Sequence, residues 1–485
     1  MRSLVIVLIA CSFLVHPVSA KSPAGEYVPK GMHEYTYYTL DNGIGVILNQ
    51  NTTIPTVSLR VVVQMGSWYF PNYKQETAHI LEHMMFMGTS KHNESELEDL
   101  VQFNGGSWNA QTNAFTTDYN MSIHAQRLKT GIDIFYEIFS DSILTNKNFK
   151  NALSVIERER GPEISSIRRW LYENDIVYSA DDVLFKQMYE GIEHVYPLRV
   201  YSEIGYEDVL QAFKDYYVPE NYLVVAAGDF SEHEIKQYLN DTFGKLEPRK
   251  SKPHKKTSFV IPDQMVISEG RLVPLIGSGS TVKHYYPSVM AEDVENNALL
   301  EIVTNYLNDI LYKKLRVDNA LSYTPTVVSY ADQGRGYIYL NFDADVDDYD
   351  EVMAVFNPII ERLASGDEEI LEALERYRMK YLLQVSQFDY TAEEISGVYA
   401  SDAAKIKRTG QFYYDSYWVE QADVRKIPAL VKQIFLKQNF YISKSTPTIS
   451  ITTAYVMVGC ILLIGMVLLI IFIRHHSLKL IRKDA

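Results

Sequence analysis

In "ETAHILEHMMFMGT", residues 76–89, two histidines stand four positions apart with a glutamate between them. On an α-helix, positions i and i+4 lie one turn apart on the same face, so His79 and His83 can point at one ion. Glu82 sits beside them without having to be a ligand, where a base acting on metal-activated water belongs. Two helical ligands leave a catalytic zinc one protein ligand short, because such sites take three and keep a fourth position open. The third must come from another element.

A candidate lies in "NKNFKNALSVIERER", residues 146–160. Phe149, Ala152, Ile156 and Glu159 follow i, i+3, i+7, i+10, so Glu159 shares an apolar stripe where a charge needs a partner. Glu157 is turned roughly 200° away from it, and Glu163 follows the helix break at Gly161-Pro162, so both are weaker candidates. A histidine pair in the solvent or core, with Glu159 bonded to Arg160 or Arg168, is the plainer alternative. The order HxxEH reverses HExxH and is the inverted zinc-peptidase arrangement, and the third acid in register favours the metal.

The surrounding pattern supplies the elements to hold these residues. "GIGVILNQ" and "TVSLRVVVQMG" alternate as strands, and "GGSWNAQTNAFTTDYNMSIHA" reads as a β-hairpin opened by glycine. "GIDIFYEIFSDSIL" then reads as a helix, leading to the helix of Glu159. A second half runs in a similar order, with helix "ENNALLEIVTNYLNDILYKKLR", strands "SYTPTVVSYA" and "GRGYIYLNFDAD", and helices "YDEVMAVFNPIIERLA" and "ILEALERYRMKYLLQV". This predicts an α+β protein of two homologous domains, each a mostly antiparallel sheet with helices packed on one face. The first domain is expected over residues 33–244 and the second over 259–443. Between them the basic, Pro-bearing stretch 245–258 has the composition of a solvated linker. Only the first half carries the histidine pair.

With 485 residues, 47% hydrophobic and 22% charged, the chain can bury more than one core. A formal charge of −15 argues against nucleic acid as a partner. The ends differ from the middle. Residues 1–20 read as a secretory signal peptide cleaved before Lys21, with lipoprotein processing at Cys11 as the alternative. Residues 449–473 carry no charge and are long enough to cross a bilayer core of about 30 Å, so a transmembrane helix is expected there. Arg474, Lys479, Arg482 and Lys483 follow it, which places the tail 474–485 in the cytoplasm and the remainder outside it. A bacterial inner membrane facing the periplasm is favoured over a eukaryotic secretory membrane. The two cysteines, Cys11 and Cys460, fall in these end segments, so the part between needs no disulfide.

Taken together, the segments resemble the inverted-motif zinc peptidases that include pitrilysin, insulysin and the mitochondrial processing peptidase. "TAHILEHMMFMGT" is similar to the zinc helix of that family, "GGSWNAQTNAFTTDY" to its substrate strand, and "SVIERE" to the segment supplying its third ligand. The resemblance implies one Zn2+ per chain, held by His79, His83 and Glu159, with Glu82 as general base. It implies an extended peptide lying along Asn109, Ala110 and Thr112. "LRVDNALSY" resembles a further motif and makes Arg316 and Tyr323 groups for the substrate and the transition state; the residues alone read as a helix-end charge and a half-buried aromatic. The implied activity is a metalloendopeptidase acting on extended peptides or small unfolded proteins, anchored in a lipid bilayer. A homodimer, or a heterodimer with a related subunit, would complete it. The alternative is a non-catalytic or weakly catalytic scaffold or peptide-binding subunit of the same fold. Departures are Ala152 where the family often has an acid two turns before the third ligand, Gln75-Glu76-Thr77 in place of a glycine-containing approach, an insertion over 161–178, and the membrane span.

Overall fold

The computed structural model describes residues 27–481 apart from 30, 33–34, 52–53, 72, 175–179, 191–199, 255–257, 272–275, 332–333, 346–347 and 410. The expected signal peptide, with Cys11, lies outside the described residues, as does the end of the expected tail. Six strands make the first sheet: β1 (Thr36–Thr39), β2 (Gly45–Gln50), β3 (Thr56–Val63), β4 (Ser107–Thr112), β5 (Thr117–His124) and β6 (Tyr222–Gly228). Their order is β1-β2-β6-β3-β5-β4, with every neighbouring pair antiparallel except β2 with β6. The second sheet has β7 (Val266–Arg271), β8 (Gly279–Met290), β9 (Thr326–Tyr330), β10 (Arg335–Asp345) and β11 (Tyr441–Thr446). It runs β9-β10-β8-β11-β7, and again only the pair β11 with β7 is parallel. Apart from β1 the two sheets follow one scheme, which is the repeat expected from the element order.

Helices α1 (Thr77–Met85), α2 (Glu94–Phe103), α3 (Leu128–Asp141), α4 (Asn146–Arg160) and α5 (Tyr206–Tyr216) accompany the first sheet. The second has α6 (Val294–Leu311), α7 (Tyr349–Ser365) and the start of α8 (Glu368–Ser386). Then come α9 (Ala392–Ser401), α10 (Ala403–Thr409), α11 (Ile427–Phe435) and α12 (Ile451–Ile481). One core joins Val46, Leu48, Leu59 and Val61 of the first sheet to Leu81, Met84 and Met85 of α1, Phe135 and Ile138 of α3, and Ile156 of α4.

The other face of that sheet is covered as well. Successive strand residues point to opposite faces, so Ile47, Val62, Leu223 and Val225 turn away from α1. They pack against Ile395, Tyr399 and Ala400 of α9 and Ala403 and Ile406 of α10. At about 1.5–3 kcal/mol for each large apolar side chain buried, this face is a major source of stability. The compact units are therefore discontinuous: one comprises residues up to 164, 197–255 and 379–421, the other 165–196, 256–378 and 422 onwards. These units differ from the contiguous blocks 33–244 and 259–443, because the sheet is apolar on both sides and draws residues 379–421 back to it.

The stretch 245–258, expected as a linker, makes specific contacts. Its first part lies on the first unit: Arg249 Nη2 donates to the Tyr217 carbonyl at 3.2 Å, Lys252 Nζ is 3.2 Å from Asp215, and the His254 ring stacks on Tyr69 at 3.8 Å. The units divide between residues 255 and 256. Near the C-terminal end, Ile449 and Ser450 pair in parallel with Ile276 and Gly277, so the helix starts two residues later than the expected span. Among the described residues, Ile451–Ile473 is the one helix long and apolar enough to cross a membrane, with 23 residues, a mean hydropathy of 3.3 and none of it buried.

Candidate metal centre

Helix α1 is buried around most of its circumference by Thr77, Ala78, Ile80, Leu81, Met84 and Met85, which fixes its rotation. The remaining stripe carries His79 and His83. Their Nε2 atoms approach to 3.2 Å. In α4 the buried residues are Phe149, Ala152 and Ile156, the expected stripe, and it ends with Glu159 against the histidines. Glu159 Oε2 lies 3.5 Å from Nε2 of His79 and 3.5 Å from Nε2 of His83. Three donor atoms from two helices thus face one another.

Glu82 is on the inner side, 6% exposed, and its Oε2 accepts a 2.6 Å hydrogen bond from the Thr112 hydroxyl. Its carboxylate is also within 4.8 Å of the ligand nitrogens of both histidines. Thr112 Oγ1 is 3.2 Å from Thr117 Oγ1, and Thr117 Oγ1 donates to the Met65 carbonyl at 2.9 Å. The Glu82 carboxyl is therefore tied to the β4–β5 hairpin. Strand β4 is the edge of its sheet and, among the described residues, pairs only with β5, its other backbone side facing no strand. Trp108, Ala110 and Thr112 face inward, with Trp108 packed edge-on against Phe86, whereas Asn109 and Gln111 are exposed. The side chain of Thr112, a residue expected along the extended peptide, is directed to Glu82. The hairpin turn is held against the segment before α1: Ser67 and Trp68 N–H groups donate to the carbonyls of Asn113 and Ala114, both at 2.9 Å. A Cβ on Gly66 would come within 2.3 Å of the Asn113 oxygen, so only glycine permits that approach.

Burial pushes the Glu82 carboxyl above its ordinary range, with the Thr112 hydrogen bond and His79 pulling the other way. Burial also disfavours charge on both imidazoles. For His79 the adjacent Glu76 carboxylate, with Glu82, outweighs it and leaves the pKa raised; for His83 burial and the charge of His79 prevail and the pKa is lowered. Glu76 belongs to the unusual Gln75-Glu76-Thr77 approach to the first histidine. Its Oε2 is 2.9 Å from His79 Nδ1. The signal that finds it is spacing, since i and i+3 share a helix face. Ala152, by contrast, is a fully buried methyl group in the core and offers the site no polar support.

The other two expected residues lie in the second unit. A π-helical turn, Tyr312–Asp318, follows α6 and carries Arg316. The Arg316 guanidinium lies 4.0 Å from the centre of the Tyr323 ring and 5.1 Å from that of Tyr312. Asp343 braces the Tyr323 loop by accepting from the Ser322 hydroxyl at 2.6 Å and the Thr324 N–H at 2.7 Å. Tyr323 itself is 67% exposed, more open than the half-buried strand aromatic its sequence suggested.

The residues around His79 suit a zinc ion. Tetrahedral coordination at about 2.0–2.1 Å places neighbouring ligand atoms about 3.3–3.4 Å apart. The separations of 3.2, 3.5 and 3.5 Å match that spacing. Glu76 on Nδ1 leaves the Nε2 lone pair of His79 directed to the shared point. Two nitrogens and a carboxylate oxygen make the ligand set of a catalytic site with a free fourth position.

The fold and this cluster define a two-domain α+β protein with the inverted HxxEH order on a helix of its first half. Residues 45–167 match the profile of the insulinase family, peptidase family M16, and residues 203–377 match that of the peptidase M16 inactive domain. The chain belongs to this family, the one that includes pitrilysin and insulysin. It is 28% identical over 224 residues to the uncharacterized zinc protease YmxG of Bacillus subtilis, covering 44% of this chain and 50% of that protein. It is 26% identical over 234 residues to the mitochondrial-processing peptidase subunit beta of Caenorhabditis elegans, covering 47% of this chain and 48% of that one. The chain thus spans about half the length of these curated relatives. The crystal structure of the first half of the periplasmic protease PqqL from Escherichia coli shares the fold, with a TM-score of 0.67 at 16% identity, over 88% of this chain and 93% of that one.

Proposed function

We propose that the protein is a membrane-anchored zinc metallopeptidase that hydrolyses peptide bonds in extended peptides or small unfolded proteins. The observation that carries this is the convergence of His79 Nε2, His83 Nε2 and Glu159 Oε2 beside the buried Glu82. In this reading those three residues hold one Zn2+, which when bound supplies Lewis-acid activation of water and of the peptide carbonyl. Glu82 takes the proton from the attacking water and returns it to the leaving amine. Thr112 keeps the Glu82 carboxylate aimed while it does so. The free edge of β4, near Asn109 and Ala110, adds the substrate backbone as a further strand. Arg316 grips a carbonyl or carboxylate of the substrate, and the Tyr323 hydroxyl donates to the developing oxyanion.

The segment Ile451–Ile473 anchors the chain in a lipid bilayer, with the basic residues from Arg474 onward on the cytoplasmic side. The peptidase then works outside the cytoplasm, in the periplasm by analogy with PqqL. A second copy or a related subunit completes the assembly; one relative is itself named as the beta subunit of a processing peptidase. The reading is tested with a quenched-fluorescent peptide library and the detergent-solubilised chain. Hydrolysis is expected, abolished by a zinc chelator and restored by Zn2+, and a zinc-loaded chain that cleaves nothing would contradict it.

A further inference from the structure

We propose that Glu76 is the residue that orients His79 as a metal ligand, so that the site is supported from the start of its own helix. The proposal rests on reading His79, His83 and Glu159 as a zinc site. Glu76 is the boundary residue of α1, and its side chain makes no capping hydrogen bond to the helix it precedes. That is a departure, because a carboxylate at this end is ordinarily directed to free backbone N–H groups. Here Oε2 meets His79 Nδ1 at 2.9 Å with the Glu76 side chain 20% exposed, and Oε1 lies 3.9 Å from Nε of Arg160, the neighbour of Glu159.

The chemical consequence is specific. A carboxylate can only accept, so Nδ1 of neutral His79 carries the hydrogen and Nε2 keeps its lone pair for a metal. The same bond restrains the ring. It also makes Nε2 a better donor, as a carboxylate behind a metal-bound imidazole generally does. Among the described residues His83 has no such partner on Nδ1; its polar contacts are to His79 and Glu159 through Nε2. The two histidines are therefore unequal: His79 is the fixed ligand, and His83 and Glu159 close around it.

The test compares Glu76→Ala and Glu76→Gln with the unmodified full-length chain in detergent. Zinc affinity is read by competition with a chromophoric chelator, and ligand geometry from the visible spectrum of the Co2+-substituted protein. Loss of a support of this type weakens metal binding about 10–100-fold. Glu76→Ala is expected to do so and to alter the Co2+ bands. Glu76→Gln, whose amide oxygen still accepts from Nδ1–H, is expected to recover most of the affinity and the native bands. Thermal unfolding of the metal-free forms shows that all three fold. Affinity within about twofold of the unmodified chain for Glu76→Ala, or equal weakening by both substitutions, would overturn the assignment. Absence of zinc from the unmodified chain would instead remove the site reading itself, and this proposal with it.

Discussion

Replacing Arg60 by Met tests how the first sheet is closed on the side away from the histidines. Arg60 is 8% exposed and Asp118 5% exposed, and their side chains form an ion pair diagonally across the neighbouring strands β3 and β5. Arg60 Nε also donates to Ser396 Oγ at 2.8 Å, and Nη2 to the Glu393 carbonyl at 3.2 Å, so one guanidinium ties β3 and β5 to α9 and its first turn. Methionine keeps the apolar stem and removes every donor. Breaking a buried ion pair from one side costs about 3–5 kcal/mol, because the other charge stays behind. Burial already pushes the Asp118 carboxyl up and Arg60 draws it back. Without Arg60 its folded pKa rises further above the unfolded value. A carboxyl raised in the folded state contributes stability at low pH that is lost as pH rises, so the penalty in Arg60→Met shrinks between pH 8 and pH 5. Converting Asp118 to Asn in the same chain removes the stranded charge and leaves a neutral burial cost of about 1–3 kcal/mol. Urea unfolding followed by tryptophan fluorescence is the assay, since Trp68, Trp108 and Trp418 lie in the first unit and only Trp170 in the second. A loss below about 1 kcal/mol for Arg60→Met at pH 8, or a double variant no more stable than the single one, would refute the reasoning.

Two further outcomes follow from particular contacts. Thr112→Val keeps the shape of the side chain and removes the donor to Glu82; a hydrogen bond to a charged group is worth about 1.5–3 kcal/mol, so kcat/KM for a quenched peptide should fall roughly tenfold to a hundredfold with zinc content unchanged. His284 is buried between the hydroxyls of Tyr286 and Tyr349, and burial holds its imidazole down to about 4. The unfolded chain therefore binds the extra proton first, so stability present above pH 6.5 is lost as pH falls towards 4, by up to about 3 kcal/mol. Urea midpoints measured at several pH values for the unmodified chain and His284→Gln should converge at low pH, and parallel curves would contradict this.

Much of the site was legible because periodicity carries it. The spacing of His79 and His83, and of Phe149, Ala152, Ile156 and Glu159, is fixed by the α-helix, so their faces could be read from the order of residues. Residues 379–421 could not be placed that way, because no local pattern says which sheet a helix will cover. A clue was present: Tyr222–Gly228 is a continuous apolar run rather than an alternating one, and all seven of its residues are buried. Such a run marks a strand covered on both faces. The role of Thr112 was hidden by the two-residue period of a strand, since the inward face of β4 is known only once its packing on α1 is seen. Glu76 was readable by the i, i+3 rule but stands outside the HxxEH pattern. The expected linker contained aromatic and charged anchors, His254 and Lys252 among them, whose partners Tyr69 and Asp215 are distant in sequence.

The central claim is that His79, His83 and Glu159 hold zinc for a reaction whose base is Glu82. Its most direct test is the paired measurement of metal content and peptide hydrolysis on the unmodified chain and Glu82→Gln, both purified in the same detergent. One zinc per chain in both forms, with hydrolysis confined to the unmodified chain, is the predicted result. Glu82→Gln that cleaves as fast as the unmodified chain, or a chain that holds no zinc, would contradict it.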